Sequence, residues 1–84
     1  MIYQLDGNWP GADRELKSVI DREPENVEFM LRLGVLHTER FTKAKSASEK
    51  KEASTEAAKW LEKVLDAQPE NALASRALER IKQR

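Results

Sequence analysis

Cysteine is absent from this 84-residue chain, which excludes a disulfide framework and any thiolate metal site and leaves the redox compartment undetermined. Histidine occurs once, at His37, a poor start for a zinc site without cysteine beside it. The three glycines build no phosphate-cradling loop, because Gly7 and Gly11 frame the start of a helix. No apolar run approaches the roughly 20 residues that a membrane-spanning helix needs. Charge of one sign is not in excess either. Fifteen Lys and Arg balance fifteen Asp and Glu, so no bulk field draws the chain to nucleic acid or to an anionic membrane. Met1–Asp6 has neither the basic stretch nor the apolar core of a secretory signal. These absences lead us to expect a cytoplasmic protein with no cofactor and no membrane partner.

What is present is helical. The apolar share is 39% and the charged share 36%, a balance that suits thin, solvated helical layers better than a thick globule. The organising stretch is Ala57 to Asn71, in which Ala57, Leu61, Val64 and Leu65 share one helical face flanked by Trp60. Pro69 stops it, since proline lacks a donor and restricts the residue before it, and Asn71 is placed to cap a following helix. The chain repeats this pattern. Ala12, Leu16, Val19, Asp21, Pro24, Glu25 and Asn26 have the spacing of Ala57, Leu61, Val64, Asp66, Pro69, Glu70 and Asn71. Such a repeat outranks every other fold signal.

Taken in order, Met1–Asp6 reads as the end of a helix, closed by Gly7. Asn8 caps a helix that begins with Trp9 and Pro10, runs to about Arg22 and buries Ala12, Leu16, Val19 and Ile20. A second helix starts near Asn26. Its apolar residues Val27, Met30, Leu31, Leu33, Val35 and Leu36 surround much of its girth, so neighbours should enclose it. Gly34, costly in a helix by about 1 kcal/mol, marks a place where another backbone comes close. The polar stretch of about residues 40–55 has three readings: a mobile loop, one unbroken helix from about Asn26 to Gln68, or extension of both flanking helices to a turn near Ser46–Ser48. We favour the last, because alanine, lysine and glutamate promote helix and Ser46 or Ser48 can cap one. The unbroken helix would require two chains to exchange halves in a dimer. A final helix from Ala72 to about Lys82 carries Ala74, Ala77, Leu78 and Ile81 on one stripe and charge elsewhere, as a terminal cap would.

Met30, Leu33-Gly34 and His37, followed by Ala57, Leu61 and Pro69, resemble the tetratricopeptide repeat, a helix-turn-helix unit of 34 residues. The earlier copy supplies Tyr3, Gly7-Asn8-Trp9, Ala12, Leu16 and Pro24. The departures are also plain. Pro24 and Pro69 are 45 residues apart, so about eleven residues are added between the two helices of the middle repeat, and His37 stands where tyrosine is usual. The chain starts partway through a repeat, as an excised module or one completed by another molecule would. The resemblance implies an all-α, tetratricopeptide-like fragment of about four helices in one domain: a partial repeat over 1–24, a full repeat over 25–70 and a capping helix over 71–84.

It further implies protein recognition. In such repeats the first helix of each pair lines a groove for an extended peptide or helix. The Leu33-Gly34 register puts Glu28, Leu31, Val35 and Thr38 there, and the last helix adds Leu73, Arg76, Arg80 and Gln83. Leu31 and Val35 would take an apolar anchor, and Arg76 and Arg80 would pair with acids. The alternative is that a second copy of the chain covers Leu31 and Val35, making it a homodimeric assembly unit. Trp9 and Trp60 are expected in the core, and His37 as a packing residue. Glu49, Glu52 and Glu56 alternate with Lys50, Lys51 and Lys59 as solvated pairs, so no enzyme activity and no metal is expected. The basic residues Lys43, Lys45, Lys50 and Lys51 are mixed with acids, which makes nucleic acid a poor fit.

Overall fold

Proline and asparagine set the boundaries of the helices. The computed structural model describes residues 9–82 and contains four α-helices: α1 Trp9–Arg22, α2 Val27–Lys43, α3 Ala47–Ala67 and α4 Ala72–Lys82. The readings for Met1–Asp6, including Tyr3, and for Gly7, Asn8, Gln83 and Arg84 lie outside the described residues. No strand occurs among the described residues, so the all-α reading holds.

The two turns that interrupt the apolar pattern are built alike. After α1, the Glu23 amide donates to the Val19 carbonyl at 2.8 Å and the Asn26 amide to the Glu23 carbonyl at 3.0 Å. After α3, Gln68 donates to Val64 at 2.6 Å and Asn71 to Gln68 at 3.0 Å. The asparagine amide groups repeat the match, Asn26 Nδ2 reaching Glu23 Oε1 at 3.1 Å and Asn71 Nδ2 reaching Gln68 Oε1 at 3.0 Å. Each asparagine oxygen then caps the next helix, from the Glu28 amide at 3.2 Å and from the Ala74 amide at 3.0 Å. The internal repeat is therefore a repeat of hydrogen bonds as well as of letters.

Residues 40–55 form neither a loop nor one continuous helix. α2 ends at Lys43 and α3 begins after Ser46, whose hydroxyl accepts from the Glu49 amide at 3.1 Å. Joined by three residues, α2 and α3 fold back on one another within the chain. The added residues are not idle: Ala53 is fully buried, and Phe41 packs on the core.

α2 is the central element, in contact with α1, α3 and α4. Two apolar clusters flank it. One joins Ala12, Leu16 and Ile20 of α1 to Leu33, Leu36 and Trp60, and the other joins Ala57, Leu61 and Val64 of α3 to Ala74 and Ile81 of α4. Val19 is half-buried, and so is Trp9, packed on the first cluster. Gly34 explains how α2 and α3 come so close. A Cβ placed on it would lie 2.7 Å from Leu61 Cδ2, 2.8 Å from Leu61 Cγ and 3.4 Å from the Leu61 backbone nitrogen.

Leu61 has no exposed surface and so cannot swing away freely. Gly34→Ala should therefore destabilise the fold by up to about 2 kcal/mol in urea unfolding, because an overpacking cost of up to about 3 kcal/mol outweighs the helix-propensity gain of about 1 kcal/mol. Combined with Leu61→Ala, its effect should be smaller than the sum of the two, since the second change removes the clashing atoms.

Candidate functional site

Two regions carry polar or apolar groups beyond what helix packing requires. The first is the α2–α4 face expected to bind a partner. Glu28 is exposed and held to Arg32 Nη2 at 2.8 Å, one turn along α2. Leu31 and Val35 are half-buried, and Leu31 packs on the cluster that α2 shares with α3 and α4. Thr38 departs from its expected role. It is 5% exposed, and its hydroxyl donates to the Gly34 carbonyl at 2.8 Å, so it faces inward and is committed to its own helix. The reason is the enclosure of α2, which leaves only a narrow solvent strip.

On α4, Leu73 is 61% exposed and is the one large apolar side chain so placed among the described residues. Arg76 and Arg80 are exposed, at helical spacing from Leu73. Neither has a carboxylate within ion-pair distance among the described residues. Leu31, Val35, Leu73, Arg76 and Arg80 thus remain at least partly accessible, with the arginines uncommitted.

The second region lies where α1, α2 and α3 meet. His37 is 1% exposed, and its Nε2 lies 2.8 Å from Asp13 Oδ1 on α1. On the other side of the ring, Arg40 Nη1 lies 3.0 Å from Nδ1. A guanidinium can only donate, so Nδ1 must accept and the ring proton must sit on Nε2, donating to Asp13. The imidazole is therefore neutral. Arg40 stacks 3.5 Å above the Trp9 ring and donates to Glu52 Oε1 on α3 at 3.3 Å, while the Trp9 and His37 rings meet edge to face. Lys17 bridges Asp13 at 3.4 Å and Glu56 at 3.6 Å. Glu56 Oε1 and Trp60 Nε1, four residues apart on α3, are buried without a hydrogen-bond partner among the described residues.

Burial holds the His37 imidazole below its ordinary pKa of 6.5. The Asp13 hydrogen bond and charge pull it upward; the Arg40 charge pushes it down again, and Glu56 pulls weakly upward. Donor atoms of Asp13, His37 and Glu56 all lie within 4.8 Å of one another, a spacing a metal ion could bridge. The surroundings do not suit one. A metal-bound histidine gives its second N–H to an acceptor, whereas Arg40 offers Nδ1 a donor, and the Lys17 ammonium lies 3.4 Å and 3.6 Å from the two carboxylates. Sequence reasoning misses this cluster, since Asp13 and His37 are 24 residues apart with no shared pattern.

No protein-family model, no curated protein and no solved structure matches this chain. No helix among the described residues is long and apolar enough to cross a membrane.

The sign of the pH effect follows from the direction of the His37 shift. A histidine held below its unfolded value stabilises the fold fully above about pH 6.5, and that contribution is lost as pH falls through the folded pKa. Urea unfolding should therefore show stability declining from pH 6.5 to 5.5, by at most about 1.4 kcal/mol per pH unit. His37→Gln should remove that slope in this window.

Proposed function

We propose that this chain is a protein-interaction module of the tetratricopeptide-like kind, acting in the cytoplasm, that holds a peptide or helix along the α2–α4 face. The observation that carries this reading is Leu73, a large apolar side chain left in solvent at helical spacing from Arg76 and Arg80, which have no ion-pair partner among the described residues. A lone exposed leucine would be ordinary. Taken with half-buried Leu31 and Val35 on α2 and with Arg76 and Arg80 one and two turns along α4, it supports an apolar anchor with charge selection around it. The reading includes no catalysis, because the one acid–base candidate, His37, is sealed from any substrate.

The alternative is self-assembly, either by adding copies to the stack or by exchange of halves across Ala44–Ser46. The repeat bears on the first route. α4 stands to α3 as α2 stands to α1, so the seat that α2 offers α3 should recur on α4. There, Glu79 replaces Gly34, Ser75 replaces Met30 and Lys82 replaces His37, and all three α4 residues are exposed. A glutamate cannot accept the close helix approach that Gly34 allows. This favours a foreign partner on the Leu73 side over a further copy stacked on α4.

Selection from a displayed library of helix-forming peptides tests the proposal. Leu73→Glu should leave helicity intact and change stability by no more than about 0.5 kcal/mol, as exposed positions do, while abolishing binding of the selected peptides. Leu31→Glu is a poorer probe because that side chain also packs on the core. Binding that ignores Leu73→Glu would overturn the proposal. A concentration-dependent dimer in sedimentation, lost on the same substitution, would favour self-assembly instead.

A further inference from the structure

The cluster around His37 has no counterpart at the other turn of the repeat. Shifted by the repeat distance, Asp13 becomes Ala58 and His37 becomes Lys82, and α3 holds α4 through apolar contacts of Ala58, Leu65, Ala77 and Leu78. The α1 junction therefore carries a polar device that the hairpin architecture does not need. The charged groups that face His37 among the described residues are these. Asp13 and Lys17 come from α1, Arg40 from α2, and Glu52, bonded to Arg40, and Glu56 come from α3. No charged group of α4 reaches the cluster among the described residues.

We propose that Arg40, His37 and Asp13 form a proton-operated clasp that holds α1 on the α2–α3 hairpin. In the neutral state His37 has one N–H, given to Asp13, and one lone pair, which receives Arg40. That lone pair fixes the guanidinium over Trp9 and against Glu52, so a residue on each of the three helices is tied to the same imidazole. A proton arriving from solvent must bind Nδ1, since Nε2 is already protonated. The new N–H then meets a guanidinium that cannot accept it, 3.0 Å away, and like charges oppose each other there. Asp13 keeps its bond, now to an imidazolium. Arg40 is driven off Nδ1 and away from its stacked position on Trp9, and the N-terminal end of α1 loses that tie.

The shift of His37 below its ordinary value agrees in direction. Loosening of α1 would uncover the cluster that Ala12, Leu16 and Ile20 share with Leu33, Leu36 and Trp60. The clasp concerns the opposite side of α2 from the partner face and stands whether or not that face binds a peptide.

His37 is the only histidine, so a long-range nitrogen–proton correlation of the labelled chain reads its tautomer and titration without assignment. The wild type should show the Nε2–H form at pH 7.5 and take up its proton below pH 6.5. The Trp9 part of the emission, identified by its loss in Trp9→Phe, should change along the same titration, and that change should vanish in His37→Gln. Arg40→Gln should move the titration upward, and Arg40→Lys, which keeps the charge without the planar fork, should move it less. An Nδ1–H tautomer would overturn the clasp, as would Trp9 emission that ignores the titration. The tautomer and emission readings use wild-type protein, so neither depends on an arginine variant folding.

Discussion

The fold depends on one close approach, between α2 at Gly34 and α3 at Leu61. With no side chain at Gly34, the leucine side chain reaches to the backbone of α2, and both residues are buried. That contact fixes the spacing of the α2–α3 hairpin. From it follows the enclosure of α2, with α1 on one flank and α4 against the other. Enclosure in turn decides which α2 side chains see water. Leu33, Gly34, Leu36, His37 and Thr38 do not, whereas Glu28, Leu31 and Val35 keep part of their surface. The candidate partner face is thus what packing leaves over rather than a separately built feature.

The repeat explains the regularity of the structure. Two turns with matching hydrogen bonds deliver two helices, α2 and α4, at equivalent places. Among the described residues, α2 receives a further helix and α4 does not. Where α2 offers glycine and apolar surface, α4 offers Glu79, Ser75 and Lys82, and charged residues exposed at that seat oppose further stacking. The hydrophobic remainder on α4 is Leu73, displaced to the side on which Arg76 and Arg80 lie.

Helix boundaries are largely legible from letters, because the local chemistry that ends a helix is written locally. Pro24 and Pro69, the capping oxygens of Asn26 and Asn71, and Ser46 each act within three residues of their own position. The enclosure of α2 is legible from its all-round apolarity, and the role of Gly34 from its cost in a helix. Two things are not. A register borrowed by resemblance points Thr38 outward, although its neighbours His37 and Gly34 are both sealed inside. The polar cluster is invisible because Asp13, His37, Arg40 and Glu56 meet only after three helices pack. A histidine with a carboxylate 24 residues away carries no periodic signal. The interior position of His37 can be read from its place in the repeat, yet its chemistry depends on Arg40, whose charge the sequence pattern assigns to a solvated stretch.

The most direct test is a nuclear Overhauser experiment between the Gly34 α-protons and the Leu61 methyl groups, repeated on a mixture of differently labelled chains. A strong contact within one chain and none between chains is predicted. A missing contact would contradict the α2–α3 packing on which the remaining arrangement rests. A contact seen only between differently labelled chains would show instead that the two halves of the molecule are exchanged.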